Sequence, residues 1–195
     1  LRPGGDVMRA LVIVLLFHVT GCPPSKTPTK PMTDCSAALS AFGSADPVNL
    51  RGLPATCTLA EMGTVLKPLS GSSRGLLGRD ETAFDIRYFA GTSLPQITAW
   101  LDTSGRVLLL DAESPPGKLE NFIAALGEPE ARLDYVWGDS TLKGGELVWP
   151  AKGVVLVASG TNHLVRLAVF APTTLADYET RLRYNGQYLT EDVDE

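Results

Sequence analysis

Lys118-Leu119-Glu120-Asn121-Phe122-Ile123-Ala124-Ala125-Leu126-Gly127-Glu128-Pro129 decides the fold class. Leu119, Phe122, Ile123 and Leu126 recur at spacings of three and four, so they share one helix face that must be buried. Gly127 ends the helix as a C-terminal cap, and Pro129 blocks any continuation. Downstream the period changes to two, with Leu133, Tyr135 and Trp137 on one side of a strand. A loop through Gly144-Gly145 leads to a strand at 146–149, and Pro150-Ala151-Lys152-Gly153 turns into 154–158. Gly160-Thr161-Asn162 then turns into 164–170. The order is a helix, then an antiparallel meander.

The same order precedes it. Thr58 can cap a helix carrying Leu59, Met62, Val65 and Leu66, and Glu61 stands where a capping box needs its carboxylate. Pro68 and Ser70-Gly71-Ser72-Ser73 end that helix in a loop. Phe84, Ile86 and Tyr88 then alternate with Asp85 and Arg87. Residues 96–101 and 106–111 flank Asp102-Thr103-Ser104-Gly105, a hairpin turn with Gly105 free to take a positive φ. Leu59, Met62 and Leu66 recur sixty residues on as Leu119, Phe122 and Leu126, by duplication or by coincidence of two amphipathic helices. After the second meander, Pro172-Thr173-Thr174 starts a last helix with Leu175, Tyr178 and Leu182 on one face. The expected fold is α+β: one antiparallel sheet from two helix–meander units, with the helices on one face.

The helix–Leu126-Gly127-x-Pro129–meander stretch, residues 117–170, resembles a unit found in the BamE/SmpA lipoproteins of the outer-membrane barrel-assembly machinery. Tandem copies of it occur in β-lactamase inhibitor proteins, and a degenerate second copy can be traced here at 57–111. The resemblance implies a non-catalytic scaffold that works by protein contact, and it carries over no functional residue.

The start of the chain speaks to location. Arg9 precedes an apolar run, 10–19, which is interrupted only by His18 and ends in Val19-Thr20-Gly21-Cys22. At ~1.5 Å per residue the run reaches about half of the ~30 Å hydrocarbon core, so it suits a cleaved signal better than a span. The pattern resembles a bacterial lipobox, which implies cleavage before Cys22 and lipid on its thiol. An n-region would begin at Met8, so residues 1–7 read as an over-long start and 1–21 as signal peptide. Residues 22–34 read as a tether, with four prolines between 23 and 31. A globular body at 35–183 and an acidic tail at 184–195 complete the expected organisation. Pro23 is not the aspartate that commonly retains lipoproteins at the inner membrane, so the expected location is the outer membrane, facing the periplasm.

Charge and cysteines narrow the partners. The chain has 17 Lys and Arg against 22 Asp and Glu; without Arg2, Arg9 and Asp6 the remainder has 15 against 21, a net charge of −6. No basic cluster could neutralise a phosphate track, so nucleic acid is not an expected partner. The expected contacts are the membrane, through the lipid, and another envelope protein. With Cys22 lipidated, Cys35 and Cys57 remain as an even pair in an oxidising compartment, where a disulfide is expected. Two cysteines and one remaining histidine, His163, match no zinc spacing, and no metal or cofactor is expected.

Gly71-Ser72-Ser73-Arg74-Gly75 matches the G-x-S-x-G nucleophile elbow, and His163 is the one histidine left to act as its base. The elbow needs a strand before the serine and a helix after it; here a broken helix precedes it and 76–79 are too short for the second. Asp102-Thr103-Ser104-Gly105 has one residue more than the aspartic-protease loop and no second copy. Glu128 and Glu130 sit beside a helix end in solvent. Trp100, Trp137, Trp149, Tyr135 and Tyr88 all fall in strands, and Trp149, beside Pro150, is the candidate exposed anchor for a partner. The expected function is a non-catalytic interaction or structural module. A Ser73/His163 hydrolase and a carrier of a small apolar ligand between sheet and helices are the alternatives.

Overall fold

Asp34 accepts a hydrogen bond from the Ala37 N–H and so opens helix α1, Cys35–Gly43, in a computed structural model that describes residues 34–79, 82–136, 143–159 and 163–189. The lipobox, Cys22 and the tether up to residue 33 lie outside these residues, as do Trp137 and residues 190–195. Thr58 and Glu61 form a reciprocal capping box for α2, Leu59–Val65. A disulfide joins Cys35 to Cys57 with Cα atoms 5.6 Å apart, tying the start of α1 to the residue before that cap.

Strands β1 (Lys67–Leu77), β2 (Thr82–Ala90), β3 (Ile97–Leu101) and β4 (Val107–Glu113) follow as a meander. Next come α3 (Leu119–Leu126) and a second meander of β5 (Ala131–Val136), β6 (Lys143–Trp149), β7 (Val154–Ser159) and β8 (Leu164–Phe170). A single turn, α4 (Leu175–Asp177), runs into a π-helical turn at Tyr178–Leu182 and then β9 (Tyr184–Leu189). Among the described residues, nine strands form one antiparallel sheet in the order β5-β6-β7-β8-β4-β3-β2-β1-β9. β4 and β8 meet near its middle, with Leu110 opposite Val169.

The expected α+β arrangement, two helix–meander units with helices on one face, is corrected by this architecture. Strand predominates, the helices are short, and both faces of the sheet are covered. The cause lies in the central strands: β3 is buried throughout and β7 at every residue but its last, so neither face can be left to water. On the first face, Leu39 and Phe42 of α1, Met62 of α2, and Phe122 and Leu126 of α3 pack on Leu101, Leu110, Leu156 and Val169. On the second, Ile86, Trp100, Leu109, Val155 and Phe170 form a separate core under Leu175, Tyr178 and Leu182. The C-terminal segment is thus a strap on the face opposite the other helices.

Two boundaries also move. Residues 70–73, expected as a loop, are strand β1, which keeps its pairing to β2 across a register shift between Pro68 and Ser72. Its first six residues are exposed, so cross-strand bonding rather than apolar patterning makes it a strand. The tail expected from residue 184 begins instead as β9, which pairs with β1.

At the end of α3, Gly127 adopts φ +78° and donates to the Ile123 carbonyl. The Lys152 ammonium donates to the Leu126 carbonyl, and Trp149 Nε1 donates to that of Gly127 at 3.1 Å. Two orphan carbonyls of the helix end, those of Leu126 and Gly127, are satisfied in this way.

Candidate functional site

The strands put charge where the apolar runs left room for it. On the second face, cross-strand register builds three rows. Ile86, Trp100, Leu109 and Phe170 are apolar and lie towards Tyr178, whose ring stacks on Phe170 at 5.2 Å. Tyr88, Thr98, Asp111 and Ala168 form the next row, and Glu113, Arg166, Val157 and Glu146 the third. Asp111, Glu146 and Arg166 are all buried.

Burying three ions is costly unless every one is paired. Arg166 Nη2 lies 2.8 Å from Asp111 Oδ2, which also accepts from Trp100 Nε1 at 2.7 Å. The Arg166 guanidinium rests 4.0 Å over the Tyr184 ring, and that ring meets Trp100 edge-on at 6.0 Å. Glu146 accepts from Arg183 Nε at 2.9 Å, and Arg183 Nη2 donates to the Asp134 carbonyl in β5. The Arg183 carbonyl in turn accepts from Gly78 N–H, just past β1. One residue of the strap therefore ties strands from opposite ends of the sheet. Burial pushes the Glu146 carboxyl up; Arg183 and Arg166 and the hydrogen bonds from Arg183 and Tyr178 pull it back only in part. Among the described residues no buried side-chain polar atom lacks a partner.

Beyond the strap the second face opens into a cleft of about 330 Å³ lined by Tyr88, Pro95, Gln96, Thr98 and Glu113. The Tyr88 hydroxyl is 2.8 Å from Ser73 Oγ, which fixes the ring at the cleft wall. A larger cleft, about 550 Å³, lies on the first face between α3 and the sheet. Lys118, Glu120, Arg132, Ser159 and His163 line it together with Leu119, Ile123 and Leu147, so its wall is mixed, charged and apolar.

The sequence candidates fall apart in space. Ser73 is in β1 and His163 precedes β8, with β2, β3 and β4 between those strands, on the order of 19 Å along the sheet at ~4.8 Å per strand. Trp149 is 1% exposed rather than a surface anchor, because it serves as a cap for the end of α3 and packs in the first core. Asp102 closes its own turn by accepting from Ser104 and Arg106, and Glu128 pairs with Arg132 in solvent. Among the described residues no group of three His, Cys, Asp or Glu gathers as for a metal. Sequence reasoning missed Asp111, Glu146, Arg166 and Arg183. The signal for Asp111 and Arg166 was a charge inside an apolar strand run, as in Leu164-Val165-Arg166-Leu167-Ala168-Val169-Phe170; Glu146, after Gly144-Gly145, carried no such signal.

Comparison with family models, with curated proteins and with solved structures finds no match to this chain.

Proposed function

We propose that the chain is a bacterial envelope lipoprotein, anchored through Cys22 at the periplasmic side of the outer membrane, whose body is a non-catalytic protein-interaction module. The observation that carries the reading is the division of the second sheet face. Under the strap its charges are paired and buried, while its other end is a cleft whose Tyr88, Thr98 and Glu113 stand on paired strands, with Gln96 just before β3. A surface held in place before contact loses little entropy on binding, which suits recognition of a protein. The Cys35–Cys57 disulfide supports an oxidising compartment. Ser73, bonded to Tyr88, gains no base from His163, which argues against the hydrolase alternative.

A photo-crosslinking residue at Gln96 of the lipidated protein, irradiated in its own membranes, tests this. A discrete protein adduct is expected from Gln96 and not from Asn121 on the helix face. Adducts of equal yield from both positions, or none from Gln96, would sink the reading. Labelled palmitate should enter the wild type and not Cys22→Ala; a wild type without label removes the anchor.

A further inference from the structure

The cleft on the second face has a definite electrostatic character. Its lining holds one ionisable acid, Glu113, and no Lys or Arg. Glu113 is exposed, and among the described residues no ion pair reaches it. Its cross-strand neighbour Arg166 turns its guanidinium to Asp111 instead. Across β3 from Glu113 lies Tyr88, whose hydroxyl is bonded to Ser73, and Gln96 and Thr98, both able to accept hydrogen bonds, share the lining with them.

The same face already shows what such a set of groups holds. Next to the cleft, Asp111 takes one edge of the Arg166 guanidinium while the Tyr184 ring covers its plane at 4.0 Å. Glu113 and Tyr88 repeat that chemistry, a carboxylate with a tyrosine face, around an empty space instead of a resident arginine. We infer that this cleft takes an arginine side chain presented by a protein partner. The guanidinium would stack on Tyr88, donate two parallel hydrogen bonds to Glu113, and use a remaining N–H on Gln96 or Thr98. The negative chain favours a cationic partner in the same sense. This inference rests on the interaction-module reading and names the chemistry of the contact.

The test is an NMR titration of the full chain, disulfide intact, with N-acetyl-arginine amide and its neutral near-isostere N-acetyl-citrulline amide. The arginine probe should shift the Tyr88, Gln96, Thr98 and Glu113 signals to saturation, less so in high salt, and the citrulline probe should not. Glu113→Gln, an exposed change whose spectrum elsewhere should stay the same, should weaken arginine binding at least tenfold. Equal shifts from both probes, no shift from arginine, or binding indifferent to Glu113→Gln would each overturn the inference. So would a neutral disaccharide that shifts the four signals when arginine does not. If the Gln96 crosslink persists while the arginine probe fails, only the arginine inference falls. If arginine binds and no protein crosslinks, the protein partner falls and the cleft is left as a guanidinium site.

Discussion

Trp100 shows how single residues set the sheet's limits. Its indole donates to Asp111, so the ring cannot step aside, and Gly75 lies directly against it. A β-carbon at Gly75 would stand 2.6 Å from the ring and 2.9 Å from Ile86. Gly75→Val should therefore lower stability by about 1–3 kcal/mol, read from urea midpoints; an unchanged midpoint would mean that β1 can shift off the ring. Glu146 carries a pH signature. Its carboxyl is raised in the folded state, so protonation favours folding as the pH falls from neutral through that raised value towards the ordinary 4.5. The stability of wild type relative to Glu146→Gln should rise over that interval, and a flat difference would show that Arg183 offsets the burial fully. Asp102 behaves in the opposite way, held down at about 2 chiefly by the Ser104 hydroxyl. Asp102→Asn should lose stability that wild type has above about pH 4 and itself loses as the pH falls through about 2. At this scale much was legible. The Asp102 turn, the Thr58–Glu61 box and the Gly127 cap are local hydrogen-bond devices, written within a few residues of one another. The anchor assigned to Trp149 was not legible, because what buries it is a helix end 22 residues away.

At the scale of elements, the strap and the disulfide are two long-range ties. Arg183→Ala would leave buried Glu146 with only the Tyr178 hydrogen bond and the Arg166 charge, and should cost up to about 3 kcal/mol. Adding Glu146→Gln should recover part of that loss, since the under-compensated charge is then removed; no recovery in the double variant would place the cost in lost packing alone. The Cys35–Cys57 bridge closes 22 residues, for which chain entropy gives about 3 kcal/mol. Cys35→Ser with Cys57→Ser should lower stability by that order, and an equally stable double variant would make the bridge ornamental. The disulfide could be expected once Cys22 was read as the lipidated cysteine, which leaves Cys35 and Cys57 as a pair. The strap could not: Leu175, Tyr178 and Leu182 announce an amphipathic segment, but nothing local says which face of the sheet it covers. Strand β1 hid for a related reason, since Ser70-Gly71-Ser72-Ser73 has the composition of a loop and is held by its neighbour β2.

Over the whole molecule, the hairpins around Asp102 and between β7 and β8 followed from turn residues and apolar runs. The burial of β3, and of β7 up to its last residue, was also present in the sequence, as Ile97-Thr98-Ala99-Trp100-Leu101 and Val154-Val155-Leu156-Val157-Ala158. It speaks for a sheet covered on both faces. That second cover divides the second face into a sealed half and an open half, and the open half is the surface we propose for a partner. Carboxyl footprinting of the lipidated protein, in its own membranes and after purification, compares this surface with the rest of the molecule in one measurement. Glu113 and Glu120 are both exposed, on opposite faces of the sheet, so each is an internal reference for the other. The expected result is protection of Glu113 in membranes and free labelling once purified, with Glu120 labelled alike in both. Equal labelling of Glu113 in the two states, or protection of Glu120 in its place, would contradict an interaction module that works through this face.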